Sequence, residues 1–421
     1  MSDTKNKVSA YKIDFLPIIL GSDENAYGMA RAFHERYNIV SKVLCRQVLV
    51  PSRYSKIMNI EQIADFDEEK IFVDNIKRVA EERTREYKKL LLVPCSDRYI
   101  ELAARNSNII EEYFCNKFIP HELLQRFATK EKFYETCEAY DLPYPKTVIC
   151  EKRDRPNILE KLPFDFPVIV KADNSNSYDF MHSEFDGKKK VFFVESPSEY
   201  LDIIDKMNAS NYNGKLIIQE FIPGGDTSMR VLNCFSDNEG RVKLMSLGHV
   251  LLEEYTPLRL GNYAAIMTDF NYTVFKRIQH FLEDIKYTGF SNFDMKFDAR
   301  SGEYKLFEIN PRQGASSFFV TAAGYNLAEF LVNNCVYKEN FDIVYARSDM
   351  LWLTVPKKII YGYVDNEQVL ERAKELIGEG KFKYTLLYKK DRGFKRRLRI
   401  KLYYRRHIRD YEKYFFKKNK E

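Results

Sequence analysis

Long apolar runs are absent from this sequence. The first apolar stretch, FLPIIL at 15–20, has six residues, and the residues that precede it begin with the polar run MSDTKNKVSA. A helix that crosses a bilayer needs about 20 mainly apolar residues, and a signal peptide needs an apolar core behind a basic start. Neither pattern is present, so we expect a cytoplasmic protein without a membrane-spanning segment.

Paired cysteines and histidine clusters are absent as well. The seven cysteines are scattered from Cys45 to Cys335, their number is odd, and no CxxC pair occurs. The six histidines do not cluster with them. This pattern is typical of buried free thiols in a reducing compartment, and it argues against a disulfide framework and against a zinc site.

The positive charge is concentrated at one end of the chain. The 421 residues carry a net charge of +6, but residues 389–421 contain 15 Lys or Arg against 4 Asp or Glu, a local charge of +11. The rest of the chain is therefore acidic, near −5. A basic tail on an acidic body predicts an anionic partner for that end.

Strand and helix patterns alternate over the first 120 residues. The run FLPIILG, a Ser-Asp break and the helical pattern ENAYGMARAFHERY are matched later by KKLLLVPCSDRYIELAARN. Such units predict a parallel sheet covered by helices, with ligands at the carboxyl ends of its strands. The GxGxxG motif is absent, which argues against a dinucleotide site. Beyond residue 145 the pattern favours mixed antiparallel strands, including a hairpin that turns at Arg300–Gly302.

The segment LFEINPRQGASSFF, residues 306–319, places a carboxylate and an amide two residues apart in an apolar run. Residues i and i+2 of a strand share a face, so Glu308 and Asn310 point the same way, and Asp294 on the preceding hairpin arm can face them. Carboxylate and amide oxygens are ligands that Mg²⁺ prefers, usually together with substrate phosphates. We therefore predict a magnesium site at these three residues. For each residue alone, ordinary polar alternation on a surface strand is the alternative.

Candidate nucleotide residues lie upstream of this segment. Lys171 ends the apolar run PVIV and can meet phosphates as a point charge, whereas Lys130 begins a helix, where a bound phosphate would offset its unfavourable position. In QEFIPGGD, backbone groups of Glu220 and Ile222 can bond an adenine edge, and Asp226 can accept from ribose hydroxyls. A plain connecting loop is the alternative. The predicted nucleotide contacts are Lys130, Lys171, Gln219, Glu220, Ile222 and Asp226.

Basic and small residues complete the candidate site. The planar guanidinium of Arg312 suits a carboxylate or a phosphate and can stabilise an oxyanion as a fixed positive donor. Arg312 is therefore the first catalytic candidate, Arg230 the second, and Lys171 a third, as a cation for phosphate. A core histidine and a salt-bridged loop arginine are the structural alternatives. The predicted substrate contacts are His249, Ser316 and Ser317.

One order of residues along the chain resembles that of the ATP-grasp ligases: Lys130, Lys171, QEFIPGGD, Asp294 and FEINPRQG. The resemblance implies an α/β and α+β protein, in which two subdomains grip ATP behind a Rossmann-like parallel domain. It implies ATP and two Mg²⁺ ions, for which Mn²⁺ can substitute. The implied divisions are an N-terminal α/β domain at 1–120, ATP-grasp subdomains at 121–215 and 216–340, and a C-terminal segment with the basic aromatic tail at 341–421.

Longer segments are similar to the D-aspartate ligases of Gram-positive bacteria, among them ILGSDENAYGMARAF, FYETCEAYDLPYPKT, GEYKLFEIN and RQGASSFFVT. This resemblance implies that ATP drives attachment of the β-carboxyl of D-aspartate to the lysine ε-amine of the stem peptide. The acceptor is a UDP-MurNAc-peptide, a cytoplasmic peptidoglycan precursor. Two alternatives stay open: an ATP-grasp ligase for another amino acid or amine, and a non-catalytic, membrane-associated nucleotide-binding module.

The chain departs from the ATP-grasp pattern after Lys171. Many members follow this lysine with a glycine-rich phosphate loop, whereas here no glycine occurs before Gly187. We expect backbone amides to cradle phosphate instead, helped by Ser175 and Ser177.

The tail, KRRLRIKLYYRRHIRDYEKYFFKK, predicts a helix packed on the body of the protein. Read as a helix, it places Phe394, Leu398, Leu402 and Tyr403 in one stripe with arginines beside it. We expect a secondary role for this tail, either in binding the anionic acceptor or in weak contact with the anionic inner leaflet of the membrane. Nothing in the sequence reads bases, so a nucleic-acid partner is not expected.

Overall fold

The computed structural model of the protein describes residues 13–173, 178–189, 191–256, 259 and 261–418. Its first part is a parallel sheet in the order β3-β2-β1-β4, flanked by helices, as the sequence predicts. The elements are β1 (Phe15–Leu20), α1 (Glu24–Tyr37), β2 (Ser41–Cys45), β3 (Met58–Gln62), α2 (Glu69–Arg83), β4 (Lys89–Pro94), α3 (Asp97–Arg105), α4 (Ser107–Tyr113) and α5 (His121–Gln125).

Serine and aspartate end two strands of this sheet and begin the helices that follow. Asp23 accepts a hydrogen bond from the backbone N–H of Ala26 at 3.0 Å, and Ser96 accepts one from Tyr99 at 3.3 Å. Both side chains therefore cap a helix, α1 or α3. Because β1 and β4 are parallel neighbours, the two capped turns lie side by side at one edge of the sheet.

The second part is an antiparallel sheet in the order β5-β8-β6-β7. One face packs on a core of its own that includes Val168, Val170 and Ile218. Side chains alternate along a strand, so Lys171 and Gln219 lie on the other face. The elements are α6 (Lys130–Ala139), β5 (Thr147–Cys150), a 3₁₀ helix (Lys152–Lys161), β6 (Val168–Ala172), α7 (Tyr178–His182), β7 (Val191–Val194), α8 (Pro197–Ala209) and β8 (Leu216–Glu220).

The third part is an eight-stranded sheet in the order β13-β12-β9-β10-β11-β15-β16, with β14 paired to β10. Its first elements are a 3₁₀ helix (Asp226–Ser228), β9 (Met229–Ser236), β10 (Val242–Glu253), β11 (Tyr263–Asp269), α9 (Tyr272–Asp284), β12 (Gly289–Asp298) and β13 (Glu303–Asn310). The later ones are α10 (Phe318–Ala322), α11 (Leu327–Cys335), β14 (Val344–Tyr345), β15 (Leu351–Leu353), α12 (Lys357–Tyr363), α13 (Glu367–Gly378), β16 (Phe382–Tyr384) and α14 (Phe394–Lys418).

The strands β14 to β16 come from residues 341–421 but join the sheet of residues 216–340. The hydrogen-bonded unit therefore continues past residue 340, and the four divisions of the chain stay a prediction. The hairpin of β12 and β13 turns over residues 299–302, where Gly302 has a φ of +71° that suits glycine.

The helix α14 packs on the body. Of the stripe Phe394, Leu398, Leu402 and Tyr403, Tyr403 faces the body and accepts a hydrogen bond from Arg259 at 2.7 Å, but the other three face outward. Phe394, Leu398 and Leu402 are 82%, 52% and 49% exposed. The buried face includes Arg396, whose Nε lies 3.0 Å from the buried carboxylate of Asp391. An arginine can occupy an inner face because its charge is paired there, which hydrophobic periodicity does not reveal. Within the described residues, no helix is both long enough and apolar enough to cross a membrane.

Candidate active site

Two sheets face each other across a cleft lined by charged side chains. The antiparallel sheet contributes Lys171 and Gln219, and the helix α6 begins at Lys130 beside them. The large sheet contributes Asp294 and Glu308 from its hairpin β12–β13. The Nζ atom of Lys130 donates to Oε2 of Glu308 at 3.1 Å, so the two halves of the cleft meet at this pair.

Asp294 and Glu308 are directly opposite each other in neighbouring strands. The hydroxyl of Tyr263 donates to Oδ1 of Asp294 at 2.7 Å, and the amide of Asn310 donates to Oδ2 at 3.2 Å. The same amide donates to Asn292 at 3.1 Å. The predicted trio therefore lies on one face of the hairpin, with its side chains held in place by fixed donors.

The two carboxyl groups have opposite electrostatic environments. Burial and the neighbouring charge of Glu308 raise the pKa of Asp294 to about 8. The Lys130 ammonium holds the pKa of Glu308 below its usual value, although burial opposes this. Two neighbouring carboxylates repel each other when both are ionised, so Asp294 holds a proton when no metal ion is bound.

These residues fit a divalent cation. Two facing carboxylates and an amide oxygen are hard ligands, and a cation would relieve the repulsion that raises the Asp294 pKa. Within the described part of the chain, no cluster of three or more His, Cys, Asp and Glu residues suits a metal ion. The remaining ligands of a bound Mg²⁺ would therefore be water or phosphate oxygens.

Lys171 is half-buried, and its side chain is held by a hydrogen bond to Gln219. Its ammonium donates to Oε1 of Gln219 at 2.9 Å, and the amide nitrogen of Gln219 donates to the hydroxyls of Tyr134 and Thr147 at 2.9 and 2.7 Å. Burial and the nearby charge of Lys130 lower the pKa of Lys171 to about 7. Gln219 thus orients Lys171, and a bound anion would favour its charged form.

The hinge segment QEFIPGGD has two kinds of contact. The carboxylate of Glu220 accepts from Lys305 at 2.9 Å, from Arg300 at 3.0 Å and from the backbone N–H of Lys146 at 2.8 Å. Its side chain therefore ties the two sheets together at the end of the cleft. Ile222 is buried, 3% exposed. Oδ2 of Asp226 accepts from the backbone N–H of Glu253 at 2.9 Å and from the hydroxyl of Tyr255. The adenine and ribose contacts stay predictions.

Arg312 joins the cleft to the N-terminal sheet. Its guanidinium donates to both carboxylate oxygens of Asp97, at 2.7 and 3.0 Å, and Nη2 lies 3.5 Å from Oδ1 of Asn310. The charge of Asp97 raises the pKa of Arg312 even though burial opposes this. Asp97 is the first residue of α3, so the capped turns of the N-terminal domain form one wall of the candidate site.

The next residue strengthens this junction. The side-chain amide of Gln313 donates to the carbonyl of Pro94 at 3.1 Å, and its backbone carbonyl accepts from Asn25 at 2.9 Å. Asn25 also donates to the carbonyl of Cys95 at 3.2 Å. The carboxyl ends of β1 and β4 are thus fixed against the loop that carries Arg312.

Arg230 and His249 lie on the other face of the large sheet. Arg230 pairs with Met295 and His249, whereas Asp294 pairs with the next residue of β9, Val231. Paired residues share a face and successive residues alternate, so the structure does not bring these two side chains to the carboxylate pair. Both contact the carbonyl of Thr227, Arg230 Nη1 at 3.0 Å and His249 Nε2 at 2.7 Å, and thus support the segment next to Asp226.

The imidazole of His249 is neutral near pH 7. Burial and the adjacent charge of Arg230 lower its pKa to about 4. Because the carbonyl of Thr227 can only accept, Nε2 carries the proton. The roles predicted for Arg230 and His249 stay predictions, with Arg230 held by Asp269 at 2.6 Å.

The geometry of the carboxylate pair and the lysines gives no role to the four serines that the sequence suggested as contacts. Ser316 and Ser317 are 5% and 3% exposed, at the start of α10. Ser175 and Ser177 lie outside the described residues.

The comparisons with known proteins agree with this geometry. No protein-family model matches the chain. The chain is 44% identical over 410 residues to the D-aspartate ligase of Enterococcus faecium strain Aus0004, and the match covers 96% of this chain and 97% of that protein. The chain belongs to the D-aspartate ligase family. A more distant relative is the carbamoyl phosphate synthase large chain of Clostridium acetobutylicum, 23% identical over 333 residues, which are 74% of this chain and 29% of that protein.

Solved structures share the fold. N5-carboxyaminoimidazole synthetase from Staphylococcus aureus complexed with ADP has a TM-score of 0.59 at 14% identity, covering 85% of this chain and 86% of that one. L-amino acid ligase from Bacillus licheniformis has a TM-score of 0.52 at 13% identity, covering 77% and 75%. The ATP-grasp fold and the D-aspartate ligase family are thus confirmed. This member of the D-aspartate ligase family is an ATP-dependent carboxylate–amine ligase, and ATP with Mg²⁺ is what such ligases bind.

Sequence reasoning missed three residues of the site in this D-aspartate ligase family member. Tyr263 and Asn292 hold the carboxylate and the amide of the trio, and Asp97 holds Arg312. Asp97 had a usable signal, because the Ser-Asp turn stands at the carboxyl end of a parallel strand, where ligands bind. Tyr263 and Asn292 have no such signal, since their roles depend on which strands pair.

Proposed function

We propose that the protein joins the β-carboxylate of D-aspartate to the lysine ε-amine of a UDP-MurNAc-peptide in the cytoplasm, with conversion of ATP to ADP and phosphate. The observation that carries this proposal is the 44% identity to a D-aspartate ligase over 96% of the chain. The cleft supports it, because Lys130, Lys171 and the Asp294–Glu308 pair are gathered where phosphate and cation would meet.

The first chemical step is activation of the carboxylate. A carboxylate oxygen attacks the γ-phosphorus of ATP, and the bond from that phosphorus to the oxygen of the β-phosphate breaks. ADP is the leaving group, and the product is an acyl phosphate. Such a transfer depends mainly on positioning and charge neutralisation. We assign Lys130 and Lys171 to the phosphates. Asp294, Glu308 and Asn310 would hold two Mg²⁺ ions, which neutralise phosphate charge when bound.

The second step forms the amide. The neutral ε-amine attacks the acyl carbon and forms a tetrahedral intermediate. This intermediate collapses with loss of phosphate, and the nitrogen gives up its proton to water or to the departing phosphate. We assign Arg312 to the oxyanion, because its guanidinium is fixed by Asp97 and lies beside Asn310. Asp97 is then a positioning residue that acts through Arg312.

Substrate choice tests the proposal. We expect kcat/KM for D-aspartate to exceed the values for L-aspartate and D-glutamate by about 10²-fold or more, because the wrong enantiomer leaves a buried partner unpaired. The measurement is ATP-dependent phosphate release with the UDP-linked peptide, checked by the mass of the product. Equal kcat/KM for the L form would refute the D-aspartate assignment while leaving an ATP-dependent ligase for another amino acid.

Lys171 makes nucleotide binding depend on pH. Its pKa of about 7 in the free protein means that it is only partly charged near neutrality, and a phosphate contact raises that pKa. Below the free value the lysine is already protonated, so binding takes up no proton there. Above it, binding takes up a proton, and the affinity falls by up to about tenfold for each pH unit.

Calorimetry of a non-hydrolysable ATP analogue, in buffers of different ionisation enthalpy, measures this uptake. We expect uptake by the wild type to exceed uptake by Lys171→Arg by nearly one proton at about pH 8 and by little at about pH 6, because any proton that Asp294 releases to a cation is common to both proteins. Lys171→Arg is the matched control, because an arginine is charged throughout and should abolish the lysine-linked uptake. Unchanged uptake in this variant would contradict a phosphate contact by Lys171.

A further inference from the structure

The outer face of α14 combines apolar and basic side chains. From 394 to 409, its exposed residues are three large apolar ones and seven Lys or Arg, and none is acidic. The apolar residues are Phe394, Leu398 and Leu402. The basic residues are Lys395, Arg397, Arg399, Lys401, Arg405, Arg406 and Arg409.

The apolar residues form a line along the helix. They are four residues apart, so their side chains follow one another on one face over about 12 Å. The opposite face is occupied, because Ile400 and His407 are buried against the body. The ion pair of Arg396 with Asp391 fixes the same orientation. The line therefore cannot turn inward without loss of that packing.

A loop of the N-terminal domain extends this surface. The ammonium of Lys395 lies 6.0 Å from the centre of the Tyr54 ring, and Tyr54 is 53% exposed. Arg396 donates to the carbonyls of Pro51 and Arg53 at 2.7 and 3.3 Å, so the helix and the loop form one rigid patch. Tyrosine and aliphatic residues among cations are typical of protein surfaces that lie at a lipid–water interface.

We propose that this face docks on the surface of an anionic lipid bilayer. The line of Phe394, Leu398 and Leu402 would enter the boundary between headgroups and acyl chains, while the flanking cations stay at the lipid phosphates. Charge complementarity selects the partner, because the exposed side chains from 394 to 409 carry seven cations and no anion. The acidic residues of α14 come after them: Asp410, which pairs with Arg406 at 3.5 Å, and the exposed Glu412. Nucleic acid would use the cations but would leave the aliphatic line without a partner.

Docking would place the rim of the candidate site near the bilayer. The loop that carries Tyr54 is tied to the carboxyl end of β1, since Leu49 N–H donates to Ser22 at 3.0 Å and Ser22 donates to Gln47 at 2.5 Å. Asp23 follows Ser22 at the edge that receives Arg312. The docking role goes beyond the proposed ligase reaction and does not depend on which amino acid is joined.

Sedimentation of the full chain with vesicles tests the proposal. One set of vesicles is phosphatidylcholine alone, and the other is phosphatidylcholine and phosphatidylglycerol in equal parts. We expect binding to the anionic set, weakened by added salt. The triple variants Phe394→Ser/Leu398→Ser/Leu402→Ser and Arg399→Gln/Lys401→Gln/Arg405→Gln should each lower the partition coefficient by about tenfold or more.

The matched control replaces exposed apolar residues elsewhere, Val40→Ser/Leu201→Ser/Tyr361→Ser, and should bind vesicles like the wild type. Thermal unfolding and ATP-dependent phosphate release should be unchanged in all three variants, which shows that they fold. Three results would overturn the proposal: no preference for anionic vesicles, undiminished binding by the serine variant of α14, or tighter binding to random-sequence RNA that this variant retains.

Discussion

Replacing Glu308 with glutamine is expected to lower kcat by on the order of 10²-fold or more at saturating ATP and Mg²⁺. The change keeps the shape of the side chain and removes its negative charge. Glu308 is the charged member of the carboxylate pair, because Lys130 favours its ionised form while Asp294 holds the proton. In the variant, Asp294 is the remaining carboxyl ligand for a metal ion, and its raised pKa favours the protonated form. The variant also leaves the Lys130 ammonium without its counter-ion at 3.1 Å.

The same substitution at the other end of the strand is the control. Glu303 begins β13 and makes an exposed ion pair with Arg277 at 3.3 Å. Exposed pairs of this kind contribute about 0–1 kcal/mol, so Glu303→Gln should keep nearly normal stability and turnover. Activity as a function of Mg²⁺ concentration then separates the two sites. Near-normal kcat for Glu308→Gln at saturating Mg²⁺ would disprove the metal assignment.

The geometry of the carboxylate pair could be predicted only in part. The register set by the hairpin turn would place Phe307 opposite Asp294, and a β-bulge between Asp294 and Met295 brings Glu308 there instead. Strand alternation, which puts Glu308 and Asn310 on one face, could be predicted because it is a local rule. The parallel N-terminal sheet was predictable for a similar reason, since strand and helix lengths repeat with clear breaks. These features need only the order of residues within about 20 positions.

The positions of Arg230 and His249 could not be predicted in this way. Arg230 lies in β9 and His249 in β10, opposite each other. The register of β9 on β12 decides whether they lie on the same face of the sheet as Asp294. That register is set by contacts between distant segments. A shift of one residue would have reversed both faces, and nothing in the local sequence fixes it.

The tail shows the same limit at a helix. Its spacing of apolar residues is helical, and the helix exists, but Arg396 and His407 take the inner positions. Arg396 can be buried because Asp391 provides an opposite charge at 3.0 Å, and His407 lies 3.4 Å from Glu254. Hydrophobic periodicity identifies apolar faces and therefore misses an inner face that contains polar side chains.

Replacing Arg312 with glutamine is expected to lower kcat by about 10²- to 10³-fold, the cost of losing one fixed donor to a developing oxyanion. The side chain is 16% exposed, and Asp97 holds the guanidinium through Nε and Nη2, so it loses little freedom when charge develops beside it. Asp97→Asn keeps Arg312 but weakens this hold, and we expect a smaller loss of about tenfold, since the donor is then less well oriented.

The split between kcat and KM decides what Arg312 does. A donor that acts only on the transition state lowers kcat and kcat/KM together, whereas a residue that binds the ground state of the amino acid raises KM and leaves kcat unchanged. Arg277→Gln removes an exposed arginine of the helix α9 and should change neither value. If Arg312→Gln raises the KM for the amino acid at normal kcat, Arg312 holds a substrate carboxylate, and the oxyanion assignment is wrong. If Asp97→Asn matches the loss of Arg312→Gln, the hold on the guanidinium is itself essential, and the site exists only when the N-terminal domain is in place.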